Sequence, residues 1–416
     1  MTLNYFQVVC ERRSFYFFIS PLQTNKRIIG GDVCKSSIVC WELSEIPTDL
    51  RHEFKSNKRL KRTDPLTFYL NLESVKEFVE FLEAANALVM EPTGGHYSSL
   101  WARIAETHGI SVKWVGHPEV KYLRKSERLP DKNDQADALA LAVYALKNWD
   151  KSQAFLRFEP GLIEEISDRY LQLHSISRIQ SPIINRLRQQ LAKEFPEVAS
   201  VRSALGADGL SPLWAWVAGR ARYTETGANF YEKRYEQSVA LLYGVRLSKF
   251  TEFLANQLCD LHLAEFELRQ KLCELVFDPK FKQFNEVFNL YRFGLMARAM
   301  LLIRCYPLSR FESQGSFKRR LGFGSEERSS GSIERFSVAG SSLARRELYL
   351  WCLTVVGRKL LSSVVGMEIL AKFEYHKQQL QKDPAKGKKF TNLVRSRTVA
   401  FMLRRLFRDL KKNCTD

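Results

Sequence analysis

The sequence predicts an α/β domain followed by a mainly helical remainder. Three observations carry that expectation. Short apolar runs of strand character are confined to residues 27–115, where they alternate with segments of helical periodicity. Beyond residue 158 the apolar spacing becomes the three-four register of long helices. Residues 281–416 keep helical spacing and end in a strongly basic stretch.

The first part reads element by element. RIIGGDVCKSSIVCWEL (27–43) predicts two strands joined by a turn around Lys35–Ser37, and LTFYL (66–70) predicts a third. Ser74 is expected to open a helix, with Glu77 completing a capping box and Val75, Phe78, Val79 and Leu82 on its apolar face. ALVM (87–90) is a short buried strand ending at EPTGGHY. A second helix runs through Leu100, Ile104 and Ala105 to Gly109. ISVKWV (110–115) is a fifth strand, and DQADALALAVYALKNW (134–149) a third helix. The order β-β-β-α-β-α-β-α is that of a ribonuclease-H-like domain, in which three antiparallel strands are extended by two parallel ones.

The rest divides again. Ile176, Ile179, Ile183 and Leu187 form one helical stripe, which Pro182 is expected to bend. Leu247, Leu254, Leu258, Leu261, Leu268, Leu272 and Leu275 form a second on a coiled-coil-like register, with Glu265 as its one misfit. ALGADGLSPLWAWVAGRARYTETGAN, between the stripes, reads as an irregular connection. Near the C-terminus, Arg395, Arg397, Arg404, Arg405 and Arg408 alternate with Val394, Phe401, Leu403 and Leu406, the pattern of an amphipathic helix with a cationic face. The expected organisation is an extension at 1–26, a catalytic domain at 27–157, a helical coiled-coil region at 158–280 and a C-terminal domain at 281–416.

Composition narrows the partner. Sixty-four Lys and Arg against 46 Asp and Glu give a net charge of +18, which favours a polyanion through phosphate neutralisation and counterion release. The eight cysteines make no CxxC pair, so neither a zinc framework nor a disulfide framework is expected. No apolar run reaches the length of about 18 residues that a membrane span requires. The expected location is cytoplasmic, with no membrane contact.

Acids follow the predicted strands. Asp32 comes after a glycine pair, Glu91 directly follows ALVM, and Asp134 and Asp137 lie one turn apart on a helix. A carboxylate at the end of a buried strand must be solvated, paired or bound to metal. Each has a plainer reading: Asp134 as a helix cap, Asp137 exposed, Glu91 paired with Lys113 or Arg103, Asp32 capping a turn. Together, in a ribonuclease-H-like topology, the four converge on one sheet edge and predict a divalent-metal site, with two Mg²⁺ ions acting on a phosphodiester.

Asp32-Val33-Cys34-Lys35, Met90-Glu91-Pro92-Thr93-Gly94 and Lys132-Asn133-Asp134-Gln135-Ala136-Asp137-Ala138 resemble the three DEDD blocks of bacterial insertion-sequence transposases. That group has a RuvC-like catalytic domain and includes Piv-type DNA invertases and bridge-RNA-guided recombinases. The approach to the third block supplies Lys121, Arg124, Lys125, Arg128 and Lys132 for phosphate contact. The resemblance extends to a C-terminal transposase domain through Leu321-Gly322-Phe323-Gly324-Ser325, Ser329-Ser330-Gly331 and Arg345-Arg346-Glu347-Leu348. Ser325, Ser341 and Ala344 depart from the family's proline, asparagine and leucine at those places.

The resemblance implies that Ser330 attacks DNA to form a covalent phosphoserine link, with Arg328, Arg335, Arg345 and Arg346 as phosphate clamps. It further implies DNA partners (element ends and target), a noncoding guide RNA, and a homo-oligomer, dimer or tetramer. Two rivals stay open: a RuvC-like junction nuclease that uses water, and a catalytically inactive nucleic-acid-binding derivative.

Overall fold

A computed structural model describes residues 26–60, 66–92, 97–158, 161–220, 225–330, 333–381 and 390–414. Most of the N-terminal extension and the Thr93–His96 stretch after Glu91 lie outside these residues. The chain divides into two compact units, Met1–Phe158 and Glu159–Asp416.

The first unit is built on a five-stranded sheet of β1 (Ile28–Val33), β2 (Ser37–Leu43), β3 (Leu66–Tyr69), β4 (Ala87–Met90) and β5 (Val112–Trp114). Their spatial order is β3-β2-β1-β4-β5. β1–β2 and β2–β3 are antiparallel, while β1–β4 and β4–β5 are parallel. This mixed sheet is compatible with a ribonuclease-H-like domain. Strand alternation splits the core in two: Ile28, Val39, Trp41 and Leu43 pack on one face with the last helix, and Ile29, Ile38 and Cys40 on the other with Phe78 and Trp101.

The helices are α1 (Leu50–Leu60), α2 (Leu72–Leu82), α3 (Ser98–Thr107), α4 (His117–Ser126) and α5 (Asp134–Lys147). Two of them, α1 and α4, were not expected. Both are strongly polar segments with few apolar positions, so periodicity in the sequence is weak there. α2 begins earlier than expected. Asn71 is its cap, accepting from the Ser74 amide at 2.9 Å, and the Ser74 hydroxyl turns back to accept from the Tyr69 amide.

Among its described residues the second unit is helical apart from one hairpin. α6 (Leu162–Glu194) runs unbroken through Pro182 and packs against α10 (Lys249–Val276). The pair is antiparallel, since Glu194 holds Ser248 at one end and Gln180 holds Glu265 in the middle. The buried stripe of α6 is Ile163, Ile166, Tyr170, Leu173, Gln180, Leu187 and Leu191, whereas the expected Ile179 is half exposed. The misfit Glu265 faces inward, 9% exposed. It accepts from Gln180 at 2.9 Å and from Arg269 at 2.7 Å.

Between these helices the expected irregular connection contains α7 (Pro212–Val217) and α8 (Glu225–Glu236), followed by α9 (Val239–Leu242). Leu213, Trp214 and Val217 pack with Leu187, Leu191, Leu254 and Leu258 in one core. The rest comprises α11 (Lys282–Leu290), α12 (Leu295–Cys305), α13 (Gln314–Arg320), α14 (Ser342–Trp351), α15 (Val364–Gln381) and α16 (Phe390–Asn413). The apolar face of α16 (Val399, Met402, Leu403, Leu406, Leu410) closes a core shared with α11, α12 and the end of α10.

The serine-rich stretch is a β-hairpin: β6 (Gly324–Ser330) pairs antiparallel with β7 (Ile333–Ala339). Its base is fixed to the end of α13. Gly340 has φ +102°, and a Cβ there would fall 1.9 Å from the Arg319 carbonyl oxygen, so only glycine lets the strand pass.

Candidate active site

The sheet edge at the C-terminal ends of β1 and β4 gathers the acids. β1 and β4 are parallel with Gly31 opposite Met90, so Asp32 and Glu91 are the next residues along two neighbouring strands. α5 lies directly on β1. A Cβ on Gly30 would fall 2.0 Å from the Ala138 carbonyl oxygen and 2.7 Å from the Ala142 amide nitrogen, so this glycine sets the approach of helix to strand. Asn133 caps α5 by accepting from the Ala136 amide at 3.0 Å. Asp134 and Asp137 therefore occupy its first turn, where the helix dipole favours negative charge.

Electrostatics show that the four acids share one environment. Burial, followed by the charges of Asp137, Asp134 and Glu91, pushes the Asp32 carboxyl up to about 7. Burial pushes Asp137 up to about 6; Arg124 opposes that rise, and Glu91 and Asp134 add to it. Charge repulsion of this kind is what a bound cation relieves.

Three of the acids also have side-chain partners from neighbouring elements. His117, the first residue of α4, places Nδ1 2.9 Å from Glu91 Oε2. Arg124, on the same helix, sets Nε 2.5 Å from Asp137 Oδ1, a charge contact without the alignment of a hydrogen bond. The Cys34 thiol donates to Asp134 Oδ2 at 3.3 Å. Glu91 pairs with neither Lys113 nor Arg103; the Lys113 ammonium instead sits over the Trp149 ring at 4.4 Å. His117 and Cys34 were not singled out for these roles, although both follow a strand of the same sheet edge within a few residues, which is the one sequence signal they offer.

All four carboxylates offer hard oxygen donors, which suits Mg²⁺. Among the described residues, however, no three His, Cys, Asp or Glu side chains stand close enough to grip a single ion. The donor chemistry and the mutual repulsion therefore fit a divalent cation, while the partners on Glu91, Asp134 and Asp137 would have to yield to it.

The basic residues separate by exposure. Lys121, Lys125, Arg128 and Lys132 are exposed, with Arg128 and Lys132 at φ 53° and 51°, whereas Arg124 is buried against Asp137. Lys132, Asn133, Asp134, Gln135 and Val39 line an open cleft beside the acids.

In the second unit, Arg345 donates to the Gly322 carbonyl at 3.1 Å, and Arg346 contacts His174 at 2.9 Å and Glu347 at 3.6 Å. The hairpin register sets Arg328 opposite Arg335 and Ser330 opposite Ile333. The side chains of Ser330, Arg328 and Arg335 lie outside the described residues.

Residues 29–196 match a family model described as a transposase, the DEDD type of IS110 elements. This part of the chain is similar to the DEDD transposase family. The match covers the whole sheet, all four acids and α6, and it supports a transposase function and a DNA-cutting enzyme of a family that generally uses divalent metal. It ends short of the serine hairpin. No curated protein matches the chain. Among the described residues no helix is long and apolar enough to cross a membrane.

Proposed function

We propose that the protein is a transposase that cuts and rejoins DNA strands through Asp32, Glu91, Asp134 and Asp137 together with the hydroxyl of Ser330. The observation that carries the proposal is the placement of four acids on one sheet edge, where burial and then the charges of the other three raise the Asp32 carboxyl to about 7. Asp32, Glu91, Asp134 and Asp137 would hold Mg²⁺, which when bound supplies Lewis-acid polarisation of the phosphodiester.

Ser330 Oγ loses its proton and forms an ester bond to phosphorus. The bond from phosphorus to a deoxyribose oxygen breaks, and that oxygen leaves with a proton. Attack by a second strand's hydroxyl on the same phosphorus reverses these steps and releases the serine. No His or Lys stands near Ser330 in sequence to take its proton, which is why its chemistry is assigned jointly with the acids. Lys121, Lys125, Arg128 and Lys132 would track the DNA backbone beside the cleft, and Arg328, Arg335, Arg345 and Arg346 the backbone near the hairpin. The net charge of +18 suits holding a guide RNA as well as DNA, in a RuvC-like recombinase that works as an oligomer.

Incubating purified protein with element-end DNA and Mg²⁺, then resolving protein–DNA adducts on a denaturing gel, tests this. Wild type is expected to cut and to form a covalent adduct, Ser330→Ala to lose the adduct, and Asp32→Asn to lose both. Cutting by Ser330→Ala at the wild-type rate would instead make the protein a junction nuclease that uses water. Absence of cutting by wild type on any junction or element end would favour a non-catalytic binding protein.

A further inference from the structure

The helices α6 and α10 enclose a cavity of about 400 Å³ together with Trp214 of α7 and the segment of residues 201–205. Hydrogen bonds tie that segment to its surroundings. The Val201 amide donates to the Val198 carbonyl at 3.0 Å, and Ser203 Oγ accepts from the Leu213 amide at 3.2 Å. A volume of this order falls within the range of small-ligand pockets, about 300–1,000 Å³.

The lining changes character from the closed end to the mouth. Gln180, His262, Glu265 and Trp214 are buried, Arg188 is half-buried, and Arg202 and Ala204 are exposed. The closed end thus carries amide, imidazole and carboxylate, and the mouth carries cations. His262 is 6% exposed, and its Nδ1 has no hydrogen-bond partner among the described residues; the same holds for the buried Nε of Arg188. Buried nitrogens of this kind are costly unless a partner reaches them. Burial holds the His262 imidazole below its ordinary value, with Glu265 pulling the other way. A neutral imidazole offers one donor and one acceptor.

The hydrogen bonds already made decide what a ligand can meet. Gln180 turns its amide nitrogen to Glu265 Oε2 at 2.9 Å and to the Leu261 carbonyl at 3.4 Å. Both of its hydrogens are committed, so it offers a ligand its carbonyl oxygen. Glu265 Oε1 accepts from Arg269 at 2.7 Å, while Oε2 accepts from Gln180 and has a second lone pair. Neighbouring acceptors of this kind select an edge with neighbouring N–H donors. Among nucleobases, guanine carries two side by side, N1–H and the N2 amino group. An apolar ligand would leave these acceptors unpaired, and a bare anion would meet the Glu265 carboxylate. Trp214, Ile184 and Val201 supply apolar surface for the ring faces, and Arg188 and Arg202 suit a phosphate.

We infer that this cavity is a nucleotide pocket that takes a guanine base on Gln180 and Glu265 and its phosphate on Arg188 and Arg202. The nucleotide is either free guanosine monophosphate or a guanine turned out of a nucleic-acid strand; both present the same base and phosphate. The strand source rests on the transposase reading above, whereas the pocket does not. The test uses the full chain. Calorimetric titrations take guanosine monophosphate, adenosine monophosphate, guanosine and inorganic phosphate as probes. Anisotropy titrations take labelled oligothymidine DNA and oligouridine RNA, each with one central guanine or adenine. Ala204→Trp fills the mouth from an exposed position, and Arg202→Ala removes an exposed phosphate partner. Both should melt with wild type.

Wild type should prefer guanine to adenine by roughly 10-fold or more, and Ala204→Trp should erase that preference. Arg202→Ala should weaken guanosine monophosphate roughly 10-fold and leave guanosine as in wild type, which keeps the test decisive if Ala204→Trp folds poorly. A guanine preference in the strands assigns an extruded base; a preference in the free nucleotides alone assigns a mononucleotide. Equal binding of guanine and adenine in both assays, a preference that survives Ala204→Trp, or inorganic phosphate binding as well as guanosine monophosphate would overturn the pocket. A protein that prefers guanine and never cuts DNA loses the transposase chemistry and keeps the pocket; one that cuts without the preference does the reverse.

Discussion

Replacing Asp32 with Asn should stabilise the metal-free protein and abolish its chemistry at once. The Asp32 carboxyl is raised from its ordinary 3.8 to about 7. A shift of about 3 units at ~1.4 kcal/mol each is a free-energy difference on the order of 4 kcal/mol. The folded state here holds the proton more tightly than the unfolded state. Stability from this group is thus full below pH 4, falls as pH rises from 4 to 7, and is wholly lost above 7. Asp137 contributes in the same direction over a window that closes near 6. The repulsion between the two is shared, so ~4 kcal/mol is a ceiling for Asp32 alone.

Asp32→Asn removes that titration. Calorimetry in EDTA should show the transition of the N-terminal unit at similar temperatures in both proteins at pH 4, and the variant melting several degrees above wild type at pH 8. At about 2–4 °C per kcal/mol the ceiling is on the order of 10 °C. Mg²⁺ at pH 8 should raise the wild-type transition and leave that of the variant in place. A variant that loses stability at pH 8 relative to wild type would refute the argument, because the ionised Asp32 would then be penalised neither by its burial nor by the neighbouring acids.

Other perturbations follow from neighbouring contacts. Gly30→Ala places a Cβ 2.0 Å from the Ala138 carbonyl oxygen; it should cost about 1–3 kcal/mol in denaturant melts and depress cutting by moving α5 and its two acids away from Asp32. Arg124→Gln removes the cation that holds Asp137 down, so the Asp137 carboxyl should rise above about 6 and the alkaline-favoured limb of the pH–rate profile should move to higher pH; an unmoved profile would disconnect Asp137 from the chemistry. Gln180→Leu leaves Glu265 buried with one partner fewer and should cost about 1–3 kcal/mol. The double change Gln180→Leu with Glu265→Leu should recover most of that loss in the same urea titration.

Much of the fold was legible because it is written in local periods. The two-residue alternation of IIGGDV and SIVCWEL sets which side chains reach each face of the sheet, and β1 and β2 follow it. The antiparallel and parallel pairing followed from element order, because a crossover helix must return the chain to a parallel neighbour. The stripe on α6 was less legible. Ile176 and Ile179 are as apolar as the residues that are buried, but the packing partner α10 selects a face centred on Leu173, Gln180 and Leu187. A buried polar pair such as Gln180–Glu265 has no signature in one strand of sequence, since each partner looks like an exposed residue until the other is placed.

The candidate site divides along the same line. By itself the sequence determined which carboxylates stand at strand and helix ends, the excess of cationic side chains, and the glycines that permit close approach, because these depend on residue type and on neighbours a few positions away. Only the tertiary structure decided that His117 meets Glu91, that Arg124 is withdrawn from the surface to face Asp137, and that Cys34 reaches Asp134. It also decided that the serine-rich stretch is a hairpin whose foot rests on α13 at Arg319. The physical reason is the range of the forces. Backbone preference and amphipathic spacing act over a turn or a strand, whereas burial and charge repulsion depend on which distant elements share a volume.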